Sequence, residues 1–252
     1  MHEIEYHASF NSEDTHWWFV TRDRLVFDFI DKYSLRLEER LDLFDVGSGT
    51  GGLLSRCKDH QSIANYSGCE PSEFGLRYSK KRGLNVIEGG VEDLYKIRQQ
   101  FDVITCMDVL YHKNVDPNFA LESIRNLLKD NGILIVNVAA IPQLAGRHDI
   151  RGEGERRFFK NELGELLVNN GYVIEALRYW NTILTPAIWL VRFFQKAFSL
   201  QPIDAVPSAV KMPNKLVNKS LVALLSFEER LGLRVEFPFG CSLIAVAKKS
   251  SQ

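Results

Sequence analysis

The chain has 252 residues, with 31 basic and 32 acidic side chains and a net charge of −1. A hydrophobic fraction of 45% and a charged fraction of 25% exclude extended disorder, collagen and coiled coil, and the length buries a core without disulfides or metal. The near-zero balance also argues against a protein whose main work is gripping nucleic acid, which needs a basic surface.

Residues 1–14 carry Glu3, Glu5, Glu13 and Asp14 with no apolar core, which is not the pattern of a secretory leader. Four scattered cysteines (Cys57, Cys69, Cys106, Cys241) without a C-x-x-C pair suggest buried thiols in a soluble, cytoplasmic protein, with no disulfide framework and no metal site. A first strand is predicted over 41–46, cut short by Gly47-Ser48-Gly49-Thr50-Gly51-Gly52. Further strands are predicted over 65–70, 84–88, 101–106 and 132–138. Helical segments over 72–82, 92–100 and 117–129 separate them, the last stopped by Asp130-Asn131-Gly132. Strand, turn and helix recurring in this order predict a parallel α/β sheet with helices on both faces and right-handed crossovers.

The pattern then changes. A sixth strand is predicted over 172–180 and a last one over 241–247. The stretch between them holds four of the eight prolines and two helix candidates. Leu216, Leu221, Leu224, Leu225 and Leu231 keep helical spacing, with Gly232 as C-cap. This region reads as a helical cap (181–237) inserted into a single domain spanning 1–252, whose core is 41–180 and 238–248 and whose N-terminal lid is 1–40. The most apolar run, 183–200, is interrupted by Arg192 and Lys196 and is too short to span a bilayer. Its centre, 187–198, is an aromatic-rich helix suited to a membrane surface, a lipid-linked acceptor, a buried cap or a dimer contact.

The sharpest motif is Asp45-Val46-Gly47-Ser48-Gly49-Thr50-Gly51-Gly52. Glycines directly after a strand let the chain turn tightly and bring its backbone against a ligand, and the following helix offers unpaired N–H groups. Gly47, Gly49 and Gly52 also satisfy G-x-G-x-x-G, which alone is compatible with a dinucleotide site or a structural turn. Glu70 ends the second strand, placed to accept hydrogen bonds from a ribose diol. Asp45 just before the loop is a charge that a pyrophosphate would not welcome, and about forty residues precede the loop.

With these residues the sequence resembles the class I S-adenosylmethionine-dependent methyltransferases over nearly its whole length. Asp45 to Gly51 is similar to the first motif of that family, and Glu70 matches its ribose-binding acid. Phe101 to His112 looks like the fourth-strand motif, Leu127 to Ile135 the turn into strand five, and Pro238 to Lys248 an antiparallel seventh strand. His16-Trp17-Trp18-Phe19 followed by Arg22 and Arg24 resembles the N-terminal signature of a bacterial and archaeal subgroup that modifies sugars, lipid-linked or other small metabolites. His148-Asp149, Arg156-Arg157-Phe158 and Tyr179-Trp180-Asn181 continue the likeness. Gly90 departs from it where many relatives carry an acid near the adenine, and Gly154 where the subgroup has a histidine.

The resemblance implies a Rossmann-like, seven-stranded, mostly parallel sheet and S-adenosyl-L-methionine as cofactor. It implies that Asp45, Gly47, Ser48, Gly49, Gly51, Glu70 and Pro71 hold the cofactor, with Val91 and Glu92 at the adenine and Cys106, Met107 and Asp108 at the methionine moiety. Trp18 and Arg22 would close over the pocket, with Arg22 or Arg24 pairing with the cofactor carboxylate. His112 and His148 are the candidate bases for a hydroxyl acceptor; a carboxylate or amine acceptor needs none. Arg156 and Arg157 suit an anionic acceptor or a solvated helix start. The expected partner is a small molecule, with the protein a monomer or homodimer. A nicotinamide-dependent oxidoreductase and a non-catalytic cofactor-binding module are the alternatives.

Overall fold

A computed structural model describes residues 3–146, 153–198, 212–232 and 235–250, with 195–198 as backbone. Two helices come first: α1 (Glu3–Ser12) and α2 (Trp17–Leu37). The side chain of His16 caps α2 by accepting the Trp18 N–H at 3.3 Å. Then come β1 (Leu41–Val46), α3 (Gly52–Cys57), β2 (Ile63–Glu70), α4 (Glu73–Lys81), β3 (Val86–Glu88) and β4 (Phe101–Met107). The chain continues through α5 (Pro117–Leu127), β5 (Leu128–Ala139), α6 (Lys160–Asn169) and β6 (Tyr172–Trp180). It closes with α7 (Thr185–Phe198), α8 (Lys215–Gly232) and β7 (Ser242–Lys249).

The strands form one sheet in the order β3-β2-β1-β4-β5-β7-β6. β1 to β5 are parallel, and β7 runs antiparallel between β5 and β6. Strand order reverses between β1 and β4, so a crevice opens beyond the carboxyl ends of these two strands, where ligands bind in open α/β sheets. The alternation Leu41-Asp42-Leu43-Phe44-Asp45-Val46 divides β1 between two cores. Leu41 and Leu43 pack with Val26, Ile30 and Leu54 on the α2 and α3 side. Phe44 and Val46 pack with Cys106, Leu121 and Ile124 on the α5 side.

The strand boundaries shift by up to four residues from those expected, and two predicted helices change as well. The helix expected over 92–100 is a 3-10 turn over Val91–Lys96 that stops at the extended Ile97. Only Val91 and Leu94 are buried there, a spacing of three that fits either helix type and is too little apolar face to carry an α-helix further. The helix expected over 117–129 ends at Leu127, because Leu128 already pairs with Phe101 as the first residue of β5. The apolar pattern does not announce α6, since only Leu163 and Leu167 are buried in it.

Candidate cofactor and acceptor site

The loop leaving β1 is fastened to β2. Gly47 N–H and Ser48 N–H both donate to the Cys69 carbonyl, at 3.0 and 2.9 Å, and the Ser48 hydroxyl donates to the Asp45 carbonyl at 2.9 Å. Gly47, Gly49 and Gly51 all sit at positive φ, +74°, +56° and +83°, the region that favours glycine. A Cβ at Gly47 would meet Val109 Cγ2 at 2.5 Å, whereas one at Gly49 would meet nothing within 4 Å. The loop is thus tight underneath and open above Gly49. α3 is only one and a half turns long, so the loop backbone, rather than a helix dipole, carries the cradle.

Glu70 is the anchor. It is buried, and its Oε2 accepts the Gly49 N–H at 2.8 Å while its Oε1 accepts the Ser72 N–H at 3.0 Å and the Tyr6 hydroxyl at 2.9 Å. Burial pushes its carboxyl up, and those three donors oppose the shift. Pro71 beside it is exposed, Val91 is buried and Glu92 is exposed. The Glu92 Oε2 lies 2.5 Å from where a Cβ on Gly90 would stand. The missing side chain at 90 therefore makes room for the carboxylate of Glu92 to fold over the same spot.

A polar chain crosses from α2 to the sheet. Arg22 donates to Asp23 Oδ1 through Nε and Nη2, at 2.9 and 2.8 Å, and to Asp108 Oδ2 through Nη1 at 3.2 Å. Its guanidinium lies 5.0 Å from the Trp18 ring centroid. Burial disfavours the Arg22 charge, and Asp23 and Asp108 outweigh that and hold it protonated. Asp108, at φ +63°, accepts the Asn137 amide at 2.9 Å, and Asn137 in turn accepts the Trp180 indole N–H at 2.8 Å. Trp18 and Trp180 face each other with centroids 6.0 Å apart. On the other side, Asp23 Oδ2 accepts Arg56 at 2.8 Å. Arg56 donates to the Glu13 carbonyl at 2.8 Å, and the Glu13 carboxylate accepts the Thr50 hydroxyl at 2.6 Å. Asp45, one layer below, is buried and accepts the Thr105 hydroxyl at 2.6 Å; burial pushes its carboxyl up to about 7, opposed by Thr105 and Arg22.

The residues singled out in sequence divide accordingly. Asp45, Gly47, Ser48, Gly49, Gly51 and Glu70 gather at the crevice, and Arg22, Trp18 and Asp108 form its far wall. Met107 is buried in the α2-side core and Cys106 in the α5-side core. Arg24 turns away, donating to the Ser226 hydroxyl on α8. His112 follows Asp108 and stacks on Tyr111 with centroids 5.2 Å apart; burial lowers its pKa. His148 lies outside the described residues. Arg157 donates to the Ala140 carbonyl at 2.8 Å just past β5. Arg156 instead lines an open groove with Lys113 and Glu162. Sequence reasoning missed Tyr6, Glu13 and Asn137. Asn137 had a signal, as the one polar residue in the apolar run 133–138, whereas nothing local marks Tyr6 or Glu13.

Residues 18–182, more than half of the chain, match a family model described as a methyltransferase domain. A ubiquinone biosynthesis O-methyltransferase from Pelagibacter ubique (strain HTCC1062) is 29% identical over 119 residues, covering 46% of this chain and 49% of that protein. One from Actinobacillus pleuropneumoniae serotype 7 (strain AP76) is 33% identical over 103 residues, covering 36% and 43%. The chain spans about half or less of the length of the curated relatives it matches. The fold is similar to that of a SAM-dependent methyltransferase from Archaeoglobus fulgidus, with a TM-score of 0.54 and 15% identity over 90% of this chain and 94% of that one. With its glycine loop and Glu70 at the switch point of such a sheet, the chain belongs to the methyltransferase family whose cofactor is S-adenosylmethionine.

Proposed function

We propose that this chain moves a methyl group from S-adenosylmethionine to an oxygen atom of a small-molecule acceptor. The observation that carries the reading is the cradle formed by the open face of Gly49 and the buried Glu70 carboxylate beside it. A ribose diol donates two hydrogen bonds, and Glu70 is a fixed, desolvated acceptor for them once the Tyr6 hydroxyl gives way. Glu92, folded over Gly90, supplies an acceptor for an adenine amino group, and Pro71 flanks the ring. Arg22 is the cation within reach of a methionine carboxylate, by exchanging its 3.2 Å contact with Asp108. The residues present therefore fit the cofactor.

When bound, that cofactor supplies a methyl group made electrophilic by its sulfonium. The protein's own contribution is alignment and exclusion of water. Trp18, Phe19 and Trp180 form apolar walls around the Arg22–Asp108 pair. His112 is our candidate base: burial favours its neutral form, the state able to take a hydroxyl proton. His148 is the second candidate. The oxygen acceptor is supported by the O-methyltransferase names of the curated relatives.

A thermal melt with S-adenosylhomocysteine and, in parallel, with NAD tests the reading. Ligand at about a hundredfold its dissociation constant adds roughly 2.7 kcal/mol. Stabilisation by the homocysteine compound and not by NAD is expected. The opposite result, or no shift with either, overturns the proposal.

A further inference from the structure

α7 wears its apolar side outward. Its start is pinned by Thr185, whose hydroxyl donates to the Asn181 carbonyl at 2.7 Å, and its middle by Arg192, which donates to the Leu144 carbonyl. Just ahead of the helix, the Thr182 and Ile183 N–H groups donate to the buried carboxylate of Glu228 on α8, at 2.9 and 2.7 Å. So fixed, the helix leaves Trp189, Leu190, Val191 and Phe193 each about half exposed, at 49–55%. The rings of Trp189 and Phe193 stack 5.6 Å apart. On α8, Leu216 and Val217 are exposed as well. A water-facing helix normally carries polar residues at such positions.

The charge around this face is one-sided. The α7 sequence holds two bases, Arg192 and Lys196, and no acid, and the first half of α8 adds Lys215 and Lys219, again without an acid, in a chain whose total is −1. Exposed Trp, Phe and Leu on a helix whose charged residues are all basic is the composition of a helix that lies in the headgroup layer of an anionic membrane. A symmetric contact between two copies would set this positive region against itself. No helix among the described residues is long and apolar enough to cross a membrane, and fourteen residues of helix reach only about 21 Å. We propose that α7 docks the protein on the surface of an anionic lipid bilayer. Trp180 and Thr182 lead from the carboxyl edge of the sheet into α7, so the docked helix follows directly from the edge on which the crevice opens. The proposal stands independently of the methyl-transfer reading.

The test is sedimentation of the full chain with vesicles of phosphatidylcholine alone or doped with phosphatidylglycerol, without cofactor. Binding to the anionic vesicles is expected, weakened by salt and by K215E/K219E, and reduced about tenfold or more by W189S/F193S. The serine variant alters exposed positions, and an unchanged melting temperature shows that it folds. Absence of binding to either vesicle, or binding that W189S/F193S leaves intact, overturns the proposal. So does a wild-type dimer in gel filtration that the serine variant converts to monomer without any vesicle binding. None of these readouts depends on methyl transfer, so its failure is distinguishable from failure of the docking surface.

Discussion

The Asp45 carboxyl is held near pH 7 by burial, against an ordinary value of about 3.9 in an unfolded chain. Between those two values the folded protein binds the extra proton, so stability falls as pH climbs from about 4 to about 7 and is not regained above. D45N keeps an acceptor for the Thr105 hydroxyl and carries no charge. Its stability relative to wild type should therefore improve by at least about 1 kcal/mol between pH 5 and pH 8, read from paired denaturant melts; a constant difference refutes this. Glu70 gives a sharper contrast. E70A removes the acceptor shared by Gly49, Ser72 and Tyr6. A charged hydrogen bond is worth roughly 1.5–3 kcal/mol, so S-adenosylhomocysteine should bind about ten- to a hundredfold more weakly by calorimetry. Glu70 was legible because the glycine loop fixes where a ribose acceptor must stand. Tyr6 was not, because it meets Glu70 across sixty-four residues and no local pattern records such a contact.

The N-terminal helix α1 is held to the site by polar contacts and by rings packed on α4, Phe10 stacking on Tyr78 with centroids 4.6 Å apart and Tyr6 lying against Phe74. Tyr6 donates to Glu70, His7 meets the Tyr78 hydroxyl at 3.0 Å, and Glu13 pairs with Arg82 at 2.7 Å. A terminal helix tied down by this small set of contacts is the kind of element that opens locally before the sheet does. Y6F separates its two duties. Loss of the hydroxyl should cost about 1 kcal/mol of stability without ligand, yet strengthen S-adenosylhomocysteine binding, because Glu70 Oε1 no longer has to exchange partners. A weaker complex in Y6F would instead make Tyr6 part of the bound site. Glu228 does for α7 what Tyr6 does for α1. E228Q retains one acceptor for two N–H donors in a buried setting and should destabilise by about 1–3 kcal/mol in denaturant titrations. The alternation of apolar residues made the long strands readable. It failed at 91–96, where two buried residues three apart satisfy either helix type, and at α6, where the inward face is two leucines.

Across the molecule, strands β1 to β5 are a local script of strand, turn and helix, and their parallel pairing follows from connections that must cross over the sheet. The insertion of β7 between β5 and β6 is different. It joins segments separated by the whole cap, so the periodicity of 241–247 gives a strand but no neighbour, and only the family resemblance supplied its direction. This division has a consequence for dynamics. β1, β4 and β5 lie at the centre of the sheet, with side chains buried on both faces, whereas the crevice is bordered by α1 and by polar contacts such as Arg22–Asp108 and Glu13–Thr50. Hydrogen exchange should accordingly find the slowest amides in the central strands, exchanging only on global unfolding, and fast amides in α1. Adding S-adenosylhomocysteine should slow exchange in α1, the glycine loop and the start of α2, and leave β6 beyond the site unchanged, because binding energy is delivered only to segments that must order around the ligand. Uniform slowing across all strands would mean that the ligand stabilises the protein globally, and that α1 and the crevice already stand in their bound arrangement before it arrives.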